Sequence, residues 1–201
     1  MADTKERILI TALRLFAKDG YEAVSVQDIA REVGITKGAM YRHYENKRDL
    51  FNSILARMEQ NDARCAEKNG MPAETAEETP ESYLDVSPEE IVSFSREMFR
   101  YWTKNEFAAS FRKMLTLEQF RNAEMEKLYQ QYLVSGPVGY LADLFRGMGV
   151  PGAEDEAARF YAPMFLLYTI YDAAEDKDAV TRQADRILEE LGKRINGGKE
   201  Q

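Results

Sequence analysis

Apolar residues recur every three or four positions along most of the chain, and no stretch alternates with period two long enough to form a strand. The pattern predicts an all-α protein. Asp3 with Glu6 three residues on reads as a capping-box-like start, after which Ile8, Leu9, Ala12, Leu13 and Phe16 form a helical stripe that Gly20 stops. Ser25 with Asp28 opens a second helix, about two turns long, whose apolar face is Val26, Ile29, Ala30 and Val33 and which ends at Gly34. Thr36 opens a short segment, Lys37 to Tyr44. Asn46 with Asp49 launches a fourth helix with Leu50, Ile54, Met58, Asn61 and Cys65 on one face. Ser87, Pro88 and Glu90 mark another start, followed by Ile91, Phe94, Met98 and Trp102 at helical spacing. Further helices are expected over Phe107–Thr116, Leu117–Val134, Pro137–Gly147, Asp155–Ala174 and Ala179–Ile195, with the Gly197-Gly198 tail fraying.

Between Gly70 and Glu90 the pattern lapses. Seven acidic residues, no Lys or Arg, and Pro72, Pro80 and Pro88 read as a loop, and the Glu74–Glu90 run as its solvated face. At 201 residues, 44% hydrophobic and 31% charged, the composition is that of a globular protein of one or two domains. The lone Cys65 excludes an internal disulfide, and with the lone His43 it excludes a Cys-rich metal cluster; a reducing cytoplasm is the expected home. The charged N-terminus lacks a secretory pattern, and the apolar stretch Ala162–Tyr171 falls short of the ~20 residues of a bilayer helix. The net charge of −8 argues against non-specific coating of nucleic acid. That average conceals an asymmetry, because residues 1–51 hold nine Lys/Arg against eight Asp/Glu and leave the deficit to the remainder. Within Arg31–Arg48, five cations face only Glu32 and Glu45.

The informative unit is Val26 to Glu45, two short helices joined by a tight turn at Gly34. In a helix-turn-helix a small residue is needed where the helices cross and Gly where the chain turns back; Ala30 and Gly34 stand there, and Ile29, Val33, Ile35 and Met40 supply the apolar contacts. The second helix offers Lys37, Gly38, Ala39, Tyr41, Arg42 and His43, a short face of small, cationic and hydrogen-bonding groups suited to a major groove. Thr36 caps that helix, and its free N–H groups suit phosphate. Lys37 is placed to reach guanine O6 and N7, Gly38 and Ala39 permit close approach, and Arg42 reads a base or a phosphate.

The motifs Ser25-Val-Gln-Asp-Ile-Ala, Val33-Gly-Ile-Thr-Lys-Gly-Ala-Met-Tyr-Arg-His-Tyr and Asn46-Lys-Arg-Asp-Leu-Phe51 resemble the TetR family of bacterial transcription regulators over Thr4 to about Phe51. The resemblance implies a cytoplasmic homodimer that usually represses, with a three-helix DNA-binding head over 1–47, a ligand-binding and dimerisation body over 48–201 with a loop at 70–87, and nine to ten helices in all. It implies that Tyr41, His43 and Lys47 clamp the DNA backbone, with Ser25 and Gln27 at the edge of the preceding helix. Tyr44 is expected to pack into the head, and Cys65 to be a small buried hydrophobe. The implied partners are a double-stranded DNA operator read as a palindrome, a second copy of the chain and a small-molecule effector, with no membrane.

The second half is rich in aromatic and Met residues, stripes that are ordinarily core but that can enclose an apolar cavity. Trp102, Phe111, Met114, Tyr140, Phe165 and Tyr168 are the expected lining, with Arg112 or Arg121 as partners for an acidic ligand. The last two helices, with Phe160, Phe165, Leu166, Ile170, Ile187, Leu188, Leu191 and Ile195, are the expected dimer interface. Pro163 is expected to bend its helix beside the pocket. A TetR-like regulator governed by a protein partner instead of a ligand is the alternative. An enzyme is disfavoured: there is no nucleophile elbow, Gly-rich phosphate loop or metal-ligand spacing, so no catalytic residue, metal or cofactor is assigned.

Overall fold

The computed structural model describes residues 4–72 and 76–197; the expected cap at Asp3, Glu74 of the acidic run and Gly198 of the tail lie outside the described residues. Ten α-helices follow in order: α1 Thr4–Asp19, α2 Val26–Val33, α3 Lys37–Met40, α4 Lys47–Lys68, α5 Pro88–Lys104, α6 Glu106–Glu118, α7 Ala123–Leu133, α8 Ser135–Gly147, α9 Ala153–Ala173 and α10 Lys177–Gly197. A 3-10 turn at Pro80–Tyr83 completes the secondary structure, and the described residues contain no strand. None of these helices is long and apolar enough to cross a membrane.

Two compact units emerge. The first holds residues up to Asp62 together with Glu106–Tyr129, so α6 and most of α7 join α1 to α3 and most of α4. In it α1 packs on α6 and α2, and α2 on α3. Ile8, Ala12, Leu13 and Phe16 of α1, Ile29 of α2, Leu50, Phe51 and Ile54 of α4, and Phe111, Met114 and Leu115 of α6 are its buried apolar residues. Removing such side chains from water contributes about 1.5–3 kcal/mol each. Tyr21 meets Phe16 edge-on and Phe51 at a tilt, with ring centroids 5.1 and 5.0 Å apart.

The second unit comprises Ala63–Asn105 and Gln130 onward. Its α5 packs on α9 and α10, and α8 on α9 and on the 3-10 turn. Phe99 stacks on Tyr168 at 5.4 Å, Phe145 meets Phe160 edge-on at 5.7 Å, and the Tyr161 hydroxyl donates to the Leu133 carbonyl at 2.9 Å. Asp185 of α10 receives a two-pronged contact from Arg100 at 2.8 and 2.9 Å. Pro163 stands inside the unbroken span of α9.

Two expectations are corrected. Leu117–Val134 is not one helix: α6 ends at Glu118, and Asn122 Oδ1 accepts from Met125 N–H at 2.8 Å as the cap of a new helix, α7. The third segment is α-helical only to Met40, after which the tighter bonds Arg42 N–H to Ala39 O and His43 N–H to Met40 O carry the chain to Tyr44. Within the acidic loop, the 3-10 turn buries Tyr83, whose ring lies 6.0 Å from Tyr140. An aromatic anchor inside a polar run leaves no periodic signal.

Candidate nucleic-acid interface

The helix-turn-helix is built from local bonds. Ser25 Oγ accepts from Asp28 N–H at 3.2 Å while Asp28 Oδ2 accepts from Ser25 N–H at 3.0 Å, the reciprocal capping box that fixes where α2 begins. The Ser25 contacts, reinforced by Arg31, hold the Asp28 carboxyl below the usual aspartate range. At the other end Gly34 takes φ 78°, a left-handed conformation any side chain would strain, and its N–H closes onto the α2 carbonyls. Thr36 Oγ1 then accepts from Ala39 N–H at 3.1 Å, capping α3. Arg7 of α1 donates to the Val33 carbonyl at 2.8 Å and ties the pair down.

Of the residues expected to meet DNA, Ser25, Gln27, Thr36, Lys37, Gly38, Tyr41 and Arg42 are exposed, while Ala39, His43 and Lys47 are half-buried. Lys37 Nζ lies 5.9 Å from the centre of the Tyr41 ring, so the two share one exposed patch. Tyr44 is buried, with its hydroxyl donating to the Lys5 carbonyl at 3.2 Å. Lys47 has a different occupation from the one expected. Its ammonium donates to the carbonyls of Tyr21, Val24 and Glu22 at 2.9, 3.2 and 3.4 Å and sits 4.4 Å from the Tyr21 ring centre.

Other charged groups of the first unit are braced against one another within it. Arg48 grips Glu124 of α7 at 2.7 and 2.9 Å, Arg57 reaches Glu6 at 2.6 Å, and Arg14 pairs with Glu106. Glu118 is the residue that sequence reasoning missed. It is a fully buried acidic residue, paired with Arg121 at 3.0 Å and accepting from Tyr21 N–H at 2.8 Å. The signal was available: Phe107, Phe111, Met114 and Leu115 place Glu118 on the apolar face of α6 at helical spacing.

The expected pocket residues are distributed. Phe111 and Met114 are buried in the first unit, where Arg121 is already engaged by Glu118 and where Arg112 is also buried. In the second unit Trp102 packs with Tyr101 and Tyr132, Tyr168 with Phe99, Tyr140 with Tyr83 and Phe94, and Phe165 with Tyr161. Tyr140 donates its hydroxyl to the Pro72 carbonyl at 2.9 Å, and burial pushes its ionisation up. An open groove of about 270 Å³ between α5 and α10 contains none of the six.

Among the expected interface residues, Phe160, Leu188 and Ile195 are buried within the chain's own core. Leu166 is 59% exposed and Ile170 40%, while Ile187 and Leu191 are half-buried. Cys65 is half-buried with its Sγ 3.5 Å from Met98 Sδ, so it is less enclosed than expected.

The comparisons with known proteins converge on the same segment. The family model described as bacterial regulatory proteins, tetR family, matches residues 8–54. The HTH-type transcriptional regulator YerO of Bacillus subtilis is 51% identical over 53 residues, 26% of this chain and 18% of that one. The HTH-type transcriptional regulator AcrR of Shigella flexneri is 42% identical over 59 residues, 29% of this chain and 27% of its own. The match therefore spans little more than a quarter of these relatives at most. Over nearly the whole chain the fold is that of solved regulators. A TerR/AcrR-family transcriptional regulator from Aquifex aeolicus VF5 aligns at TM-score 0.66 and 18% identity, covering 96% of this chain and 98% of that one. A SmeT–triclosan complex aligns at TM-score 0.64 and 15% identity, covering 94% and 89%. The caps, the turn and the exposed face of residues 25–44 all lie within the segment, residues 8–54, that matches the family model of tetR bacterial regulatory proteins.

Proposed function

We propose that the protein is a DNA-binding transcriptional regulator, a repressor that binds a palindromic operator as a homodimer and is released by a small apolar or aromatic ligand. The observation that carries the reading is the exposed face of α2 and α3, where Lys37, Tyr41 and Arg42 stand clear of the chain on a pair of helices capped at both starts. Lys37 and Arg42 read bases, Thr36, Tyr41 and His43 hold phosphates, and Ser25 and Gln27 border the groove; only the base contacts specify sequence. Lys47 acts from within, by holding the loop ahead of α2.

The size of the reading head supports two-fold symmetry. A single four-residue α3 with its following turn reads too few base pairs to be selective, and two copies one helical turn apart, ~34–36 Å, double the site. The exposed Phe165, Leu166 and Ile170 of α9, continued by Ile187 and Leu191 of α10, supply an apolar surface for a second copy. The aromatic second unit and the likeness to a triclosan complex support an apolar effector, which acts only through its differential affinity for the DNA-competent state. Sequence selection from a random duplex library tests the reading. A two-fold-symmetric motif with half-sites one turn apart is expected, and recovery of no motif contradicts it.

A further inference from the structure

We propose that Glu118 is a positioning residue that seats the helix-turn-helix through the backbone of the loop between α1 and α2, an inference that rests on the DNA-binding reading for its purpose but is read out without DNA. Glu118 ends α6 on its buried face, with none of its side chain exposed. A charged carboxylate taken out of water is costly unless its oxygens are met. Oε1 accepts from Tyr21 N–H at 2.8 Å and from Arg121 Nη1 at 3.0 Å, whereas Oε2 is buried with no hydrogen-bond partner. An acid in this condition is a poor way to fill space. What it provides that an apolar side chain does not is a fixed acceptor for the Tyr21 amide.

The surroundings are shaped to that contact. Gly20 takes φ 90°, and a Cβ on it would collide with Glu118 Oε1 and Arg121 Nη1, so the carboxylate can approach only because no side chain is there. The carbonyl of Tyr21 is held as well, by Lys47 Nζ at 2.9 Å, and the same ammonium reaches the Val24 carbonyl at 3.2 Å. Both backbone groups of Tyr21 are thus fixed, one by α6 and one by the first residue of α4, while its ring is wedged between Phe16 and Phe51. Val24 directly precedes Ser25, the cap of α2. Where the loop is seated therefore decides how α2 and α3 are placed.

The test is amide hydrogen exchange on the full chain carrying Glu118→Leu, which removes the acceptor, or Glu118→Gln, which keeps one at the same reach. Exchange reports local opening segment by segment. The Leu variant is expected to speed exchange tenfold or more across residues 20–24 and 25–44 while α9 is unchanged, and the Gln variant to stay within threefold of the parent. Unchanged exchange over 25–44 in the Leu variant, or equal acceleration in both, overturns the proposal. Should the Leu variant not fold, Glu118→Asp replaces it, keeping the charge but withdrawing the acceptor; acceleration over 20–44 is expected, and parental protection overturns the proposal. DNA binding by the parent chain is measured alongside. Its absence removes the DNA-binding reading, and the exchange pattern still decides the seat.

Discussion

The exposed face of the head and the exposed face of α9 are made of opposite chemistry. On the head, Lys37, Tyr41 and Arg42 present cations and a hydroxyl over helices only four and eight residues long, held in place by side-chain caps. On α9, Phe165, Leu166 and Ile170 present hydrocarbon on a 21-residue helix. The first face gains from charge and is weakened by salt; the second gains from removing apolar area from water and is almost indifferent to it. One surface is suited to a polyanion and the other to apolar association; the deficit behind the net charge of −8 is carried by residues 52–201, while residues 1–51 hold nine Lys/Arg against eight Asp/Glu.

The largest effect is expected on the α9 face. Replacing Leu166 and Ile170 together by Asp places charges on the apolar surface, and sedimentation should show monomer, with loss of selective DNA binding by a hundredfold or more. An unchanged dimer would remove α9 from the interface. Next comes the head: Lys37→Ala should cost about 1–3 kcal/mol in binding the selected sequence and relax discrimination at one base position. Its salt slope should fall by less than one, because Lys37 reads a base and not a phosphate, and the α9 variant, tested at concentrations that restore dimer, should keep the parental slope.

A third effect concerns stability. Asp62 of α4 has Oδ1 buried without a hydrogen-bond partner, and loss of water, reinforced by the Glu59 charge, pushes its carboxyl up to about 7. A raised acid favours folding while protonated, so this group penalises the folded state increasingly as pH rises from about 4 to about 7, and fully above that. Asp62→Asn should therefore stabilise the protein by ~1–3 kcal/mol at pH 8, with the gain shrinking toward pH 5. Melting curves at the two pH values check it, and a pH-independent difference would refute the assignment. The smallest effect is at Ser25→Ala, which breaks the capping box and should cost about 1 kcal/mol of stability. Because Asp28 is held low by Ser25, that contribution is present at neutral pH and fades as acid protonates Asp28.

What was legible in the sequence divides along the same line. The starts at Ser25 with Asp28, at Asn46 with Asp49 and at Ser87 with Glu90 are all made by bonds spanning three residues, and each was readable from residue type and spacing. The burial of Tyr44 was implied only by the family resemblance, whereas the turn at Gly34 was readable for the same reason as those starts. The break after Glu118 was not, because the apolar stripe of α6 continues through Leu117 and Phe120, and Phe120 stands 91% exposed in the break itself. The internal partners of Glu118 and Lys47 were not legible because they lie 97 and 23–26 residues away in the chain. The aromatic residues of the second unit were correctly marked as mostly buried, but their ring pairs join residues from separate helices, such as Phe99 with Tyr168 and Trp102 with Tyr132. Pairings of that kind leave no trace in local spacing.

The central claim is that the exposed face of α2 and α3 reads DNA. Its most direct test is a titration of the purified protein against the duplex lying just upstream of its own coding sequence, against a duplex carrying the motif recovered by selection, and against random duplex, each at two salt concentrations. The account expects nanomolar, salt-sensitive binding by a dimer to the motif, at least a hundredfold tighter than to random duplex, with the upstream duplex matching it wherever the motif occurs there. Binding to the motif no tighter than to random duplex would contradict it.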